Sequence, residues 1–275
     1  MKIALLQMTT GIDPAANCAA IVAAMRTARA EGADMLFTPE MSGYLDRDRA
    51  RAGERIVAEP DDIVLAGVRA AAAELGLWVS IGSLAIADPA TPGKWRNRAF
   101  VIDGTGTIRA RYDKMHLFDV DLPSGESWRE SSSYAAGETG VVVATPWAPI
   151  GLSICYDLRF PDLYRALSDA GARILTVPAA FTVPTGRAHW HVLLRARAIE
   201  AAAFVIAAAQ TGTHEDGRAT YGHSLVIDPW GEVLLDMGEA PGLAILDLDL
   251  TQVDAVRQRI PALDHRRPNP DVINL

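Results

Sequence analysis

The chain has 275 residues, 49% hydrophobic and 22% charged, with a formal net charge of −8; this suits one large globular domain and excludes disordered and fibrous classes. Its basic residues are scattered, so the electrostatic footprint of a nucleic-acid binder is missing and a small-molecule partner is expected. No apolar stretch approaches the roughly 20 residues that cross a bilayer, and the opening MKIALLQMTTGIDP turns polar too soon for a signal peptide, so no membrane is expected and the location reads as cytoplasmic.

In chain order, KIALLQM (2–8) reads as a strand. Residues 14–31 carry apolar side chains at helical spacing, and GADMLFTPE (32–40) returns to strand. A helical stretch at 61–75 leads into LWVSIGSLAI (77–86). Two alternating runs in RNRAFVIDGTGTIRARYDK (96–114) flank a Gly-containing turn, the signature of a hairpin. Its GTG is no nucleotide loop, because a strand and not a helix follows. Residues 115–139 show no periodicity and read as a long functional loop.

TGVVVATP and PIGLSICYD read as strands, 160–171 as a helix, RILTVPAA as a strand, 186–202 as a helix and FVIAAAQT as a strand. A second hairpin, HSLVIDPWGEVLLD, and a last strand, GLAILDLDL, complete the regular part. The two halves share one rhythm, and the alternation argues for α/β layers in a single domain over 1–260. From 261 the sequence PALDHRRPNPDVINL has three prolines and no periodicity, which predicts an extended C-terminal tail over 261–275.

Only two cysteines are present, Cys18 and Cys155, without metal-like spacing, so free thiols are expected. In α/β sheets ligands bind beyond the carboxyl ends of strands, and Glu40, Lys114 and Cys155 each terminate an apolar run. Taken alone, Glu40 reads first as an exposed loop carboxylate or a helix N-cap and Lys114 as a solvated lysine beside Asp113, while Cys155 reads equally as a buried filler or a nucleophile. Together they supply a nucleophile, a base for its proton and a cation for an oxyanion, without histidine. Burial and a neighbouring carboxylate are expected to raise the pKa of Glu40. His189 and His191 lie two apart in a helical pattern and point to different faces, so no metal site is expected; a Cys155–His116 pair has nothing in its spacing to favour it.

Three segments, FTPEMSGY, RYDKMHLFD and GLSICYDLRFPDLYRAL, appear in order around these residues, joined by AHWHVLLRARAIE and TYGHSLVIDPWGEV. On them the chain resembles the carbon-nitrogen hydrolases of the nitrilase superfamily, in their Nit branch of amidases, from residue 1 to about 260. The resemblance implies an α-β-β-α sandwich, no cofactor, and a homodimer or higher homo-oligomer with the helix after Cys155 at the contact. It implies Glu40 as general base, Cys155 as the nucleophile that forms a thioester as ammonia leaves, and Lys114 with the Tyr156 N–H at the oxyanion. A second glutamate is implied between the Lys and Cys segments; SWRESSSYAAGE offers Glu130, with Glu126 and Glu138 as lesser alternatives.

Arg159 is a candidate clamp for a substrate carboxylate or else half of an ion pair with Asp157, and Tyr44 and Phe181 are candidate pocket walls. The implied substrates are small amides bearing carboxylates: deaminated glutathione first, then 2-oxoglutaramate, with an N-carbamoyl amino acid as a further alternative. The competing class is a non-catalytic binding protein on the same fold.

Overall fold

The computed structural model describes residues 1–121, 125, 127–267 and 273. The first half runs β1 (Lys2–Gln7), α1 (Pro14–Ala30), β2 (Met35–Phe37), α2 (Arg49–Arg55), α3 (Ile63–Leu75), β3 (Trp78–Ala87), β4 (Trp95–Ile102) and β5 (Ile108–Asp113). A small hairpin, β6 (Asp119–Asp121) and β7 (Ser127–Arg129), joins it to the second half. There follow β8 (Val141–Val143), β9 (Ile150–Leu152), α4 (Pro161–Asp169), β10 (Ile174–Thr176), α5 (Val183–Ala201) and β11 (Phe204–Ala207). A ribbon of β12 (Thr211–Thr213) and β13 (Ala219–Tyr221), then β14 (Leu225–Ile227), β15 (Val233–Asp236), β16 (Gly242–Asp247) and α6 (Thr251–Arg259), complete the chain.

Two six-stranded sheets result, ordered β16-β1-β2-β3-β4-β5 and β15-β14-β11-β10-β9-β8. In each, three parallel strands are followed by two antiparallel ones, and one further antiparallel strand flanks the first. The shared rhythm of the two halves is therefore a shared topology. Alternation sorts the side chains of the first sheet: Ala4, Leu6, Leu36 and Phe100 face Ile21, Met25, Val64 and Val68 of α1 and α3. Ile3, Leu5, Met35 and Val101 face the second sheet and share its core with Leu152, Ile174 and Val205. Helices outside and sheets inside give the α-β-β-α sandwich.

Local chemistry fixes the ends. Asp62 caps α3 by accepting from the Leu65 N–H at 2.7 Å, and Gly76 closes it at φ 62°. The helix expected over 186–202 begins three residues earlier, because Pro184 is tolerated in a first turn where no N–H is needed. Two helices were not legible: α2 is charged and carries Gly53, and α6 buries only Val253. The loop at 115–139 contains the β6–β7 hairpin and a 3₁₀ turn at Glu130–Ser132. Of the expected tail, 262–265 form turns and Arg266 bonds to Asp169 of α4; residues 268–272, 274 and 275 lie outside the described residues. Among the described residues no helix is long and apolar enough to cross a membrane.

Candidate active site

Glu40 follows β2 through Thr38 and Pro39, and this segment presses onto β3. A Cβ at Gly82 would stand 2.2 Å from the Thr38 carbonyl oxygen and 2.4 Å from Pro178, so only glycine admits both strand ends. Glu40 is thereby buried, 4% exposed, which rules out the exposed-loop and N-cap readings. Its Oε1 accepts from Lys114 Nζ at 2.8 Å and Asn97 Nδ2 at 2.9 Å, and Oε2 accepts from the Ala180 N–H at 2.8 Å. Burial works to raise this carboxyl, but the Lys114 ammonium and hydrogen bonds from Lys114, Cys155 and Asn97 outweigh it and hold Glu40 below its ordinary range. The expected upward shift is therefore corrected in sign.

Lys114, one residue past β5, is 2% exposed and no solvated lysine; Asp113 pairs with Arg98 instead. Its ammonium meets Glu40 at 2.8 Å and both oxygens of Glu130 at 3.1 and 2.9 Å. Burial works against its charge, yet Glu130, Glu40 and Cys155 together push it well above the ordinary lysine value. Glu130 also accepts from Phe118 N at 2.7 Å and from Asn97 Nδ2 at 3.1 Å. Of the other two candidates, Glu138 is exposed and Glu126 lies outside the described residues.

Cys155 opens a 3₁₀ turn, Cys155–Arg159, directly beyond β9. Its φ of 49° is left-handed, a strained geometry for a non-glycine residue, and its N–H is held by the Pro178 carbonyl at 2.9 Å. Buried Asp157 braces the turn, accepting from the Ile154 N–H at 2.8 Å, the Tyr112 hydroxyl at 2.7 Å and the His116 N–H at 3.0 Å. The His116 ring belongs to that brace, with Nδ1 2.7 Å from Asp157 and the ring stacked on Phe160, so it is no partner for Cys155. Burial and the Glu40 carboxylate push the Cys155 thiol well above its ordinary value, despite Lys114. The resting sulfur is therefore a protonated thiol. Among the described residues no backbone carbonyl accepts from the Tyr156 N–H.

These groups sit at the floor of a cavity of about 530 Å³ at the carboxyl ends of the strands. Tyr44, Tyr156 and Phe181 line it. Arg159 does not: its guanidinium lies 5.9 Å from the Tyr156 ring and 5.6 Å from that of Phe181, with Nη2 3.3 Å from His189. The 3₁₀ turn carries it behind two wall residues, and Asp157, fully occupied elsewhere, is not its partner either. The cations lining the cavity are instead Lys114, Arg47, Arg49, Arg129 and Arg218. Arg218 is held through Nε by Asp216 at 2.7 Å with its guanidinium 5.2 Å from the Trp128 ring, and Arg129 is occupied by Asp121.

Sequence reasoning missed Asn97, Trp128 and the arginines. Asn97 reads as one polar residue in an alternating hairpin, and no short-range spacing ties it to Glu40. One group with the makings of a metal site, His191, His223 and Asp236, lies together among the described residues but lines no part of the cavity.

A sequence profile of the carbon-nitrogen hydrolase family matches residues 2–258. The chain is 41% identical over 271 residues to the Bos taurus protein named deaminated glutathione amidase, covering 97% of this chain and 82% of that one. The crystal structure of the Caenorhabditis elegans NitFhit protein superposes with a TM-score of 0.89 at 38% identity, over 97% of this chain and 65% of that longer chain. A mutant amidase from Nesterenkonia sp. AN1, solved after Michael addition of acrylamide at its active-site cysteine, superposes with a TM-score of 0.78 at 28% identity, covering 95% of this chain and 98% of that one.

Proposed function

Because the chain belongs to the carbon-nitrogen hydrolase family, enzymes that cleave carbon–nitrogen bonds other than peptide bonds, we propose that it hydrolyses a small carboxylate-bearing amide through a thioester on Cys155, with deaminated glutathione as the leading substrate. The observation that carries this reading is the contact set in which Lys114 holds both Glu40 and Glu130 on the wall of one cavity that Cys155 also lines.

A buried thiol whose pKa is raised attacks only if its proton leaves as the bond forms, and Glu40, the carboxylate beside it in the cavity wall, is the acceptor. Sulfur adds to the amide carbon, and the developing oxyanion is stabilised by Lys114 and the Tyr156 N–H. Glu40 returns the proton to the nitrogen, the C–N bond breaks and the amine departs. In deaminated glutathione that nitrogen carries the peptide portion, so the leaving group is an amine rather than ammonia. Glu40 then takes a proton from water, which adds to the thioester; collapse releases the acid and returns the thiol. Glu130 keeps Lys114 charged and aimed throughout.

Substrate choice draws support from the bovine relative's name and from a cavity within the ~300–1,000 Å³ typical of small-molecule sites. Arg47, Arg49 and Arg218 in its wall offer positive charge to substrate carboxylates, in place of Arg159. The alternative is 2-oxoglutaramate. Comparative kcat/KM on the two amides tests the choice: deaminated glutathione is expected to win, and a preference for 2-oxoglutaramate, an N-carbamoyl amino acid or a nitrile contradicts it. Retained amine release by Cys155→Ala would sink the mechanism, and absence of any turnover by wild type would favour a binding protein.

The same reading includes a homodimer in the cytoplasm. Exposed Val192 and Ile199 on α5, and exposed Trp230, support self-association, and two free thiols suit a reducing compartment. Light scattering that returned a monomer mass would remove the dimer.

A further inference from the structure

Resting on the amidase reading above, we infer that Asn97 is a positioning residue that fixes Glu40 and Glu130 on either side of Lys114 and aims Glu40 at the thiol. It sits within β4, 1% exposed, and its backbone carbonyl accepts from the Lys114 N–H at 2.9 Å. Its amide Nδ2 then reaches Glu40 Oε1 at 2.9 Å and Glu130 Oε1 at 3.1 Å. One residue thus ties down the lysine's main chain and both of the lysine's partners.

The amide orientation is set by those neighbours, since a flipped carbonyl would face two carboxylates. In that orientation Oδ1 is buried with no hydrogen-bond partner among the described residues. An orphaned buried acceptor is destabilising, and an apolar residue of similar size would fill the space without it. Retaining the amide is explained by its two N–H donors. Lys114 alone does not give the same arrangement: its charge attracts both carboxylates equally, whereas the planar amide sets an angle between them.

The groups facing Glu40 are Lys114 beyond β5, Glu130 in its 3₁₀ turn and Cys155 beyond β9, with the Tyr134 hydroxyl and Arg218 further out. Losing two neutral donors from this set leaves two carboxylates less well satisfied. Glu40 then takes up a proton more readily, so activity that requires it ionised is lost at a higher pH.

The test compares wild type with Asn97→Ala and the near-isosteric Asn97→Asp, which replaces the donors by acceptors. Two pH profiles are read: kcat/KM for deaminated glutathione, and the rate of Cys155 alkylation by iodoacetamide followed by peptide mass mapping, which separates it from Cys18. The acid limb of both profiles is expected to move up by roughly one unit, the scale of one charge-assisted hydrogen bond. In addition kcat falls about tenfold or more from lost alignment, with KM changed less than about threefold. Asn97→Ser, which keeps one donor, falls between and serves if Asn97→Asp does not fold. Acid limbs unmoved in every folded variant would overturn the inference even if rates fell. Wild type that turns over no amide would instead overturn the amidase reading, while the alkylation profiles still decide the role of Asn97.

Discussion

The two halves of the chain repeat one strand order, yet the ends of their fifth strands differ. Beyond β5 stands Lys114, its side chain 3% exposed and bonded to two carboxylates, Glu40 at 5% and Glu130 at 12% exposed. At the end of β15 stands Asp236, its side chain 35% exposed, accepting from His191 at 3.0 Å and His223 at 2.9 Å. Both are compact clusters of titratable groups. The first is far less exposed, with every oxygen of Glu40 and Glu130 bonded, and there a cysteine, Cys155, arrives from the other sheet. Loss of solvent turns an ion pair of little energetic consequence into one whose partners control each other's protons.

That difference predicts a graded response. Lys114→Ala leaves Glu40 and Glu130 facing each other without a cation; it should abolish turnover and cost about 3–5 kcal/mol of stability in urea unfolding. Glu40→Gln removes the proton acceptor while keeping the shape, and amine release is expected to fall about 10²–10⁴-fold. Next comes pH. Since Glu40 is held below its ordinary range, its contribution to stability is complete above that range and is lost as pH falls through the lowered folded value. Lys114, raised, contributes below its ordinary lysine value and ceases to as pH rises through the folded one. Melting temperatures should therefore be flat through neutrality, and a maximum at acid pH would contradict the assignment.

Specificity should show smaller effects. Arg218→Ala is expected to raise KM for deaminated glutathione about tenfold through loss of a charge-assisted contact, with Arg159→Ala within about twofold of wild type. The reverse order in steady-state kinetics would restore Arg159 to the site. Least of all, His223→Ala should change stability by under about 1 kcal/mol, as for exposed pairs, and leave kcat/KM unchanged.

Much of this was legible in the sequence because strand ends are. Glu40, Lys114 and Cys155 each close an apolar run, and the runs alternate with helical patterns strong enough to imply the sandwich. Features that depend on contacts between distant segments were not legible. Asn97 meets Glu40 across 57 positions, and the upward pull on Glu40 is cancelled by a lysine 74 positions away. Arg159 looked like a clamp because it follows the cysteine by four residues, but a 3₁₀ turn rather than an α-helix sets where that offset points. The helices α2 and α6 bury too little to leave a periodic signal.

The central claim is that Cys155 forms the covalent intermediate. Intact protein mixed rapidly with deaminated glutathione and quenched in acid should carry the acyl group, by mass, on the peptide containing Cys155. The adduct should be absent from Cys155→Ala, which should also release no amine. Turnover without any adduct, with Cys155→Ala still active, would contradict the account.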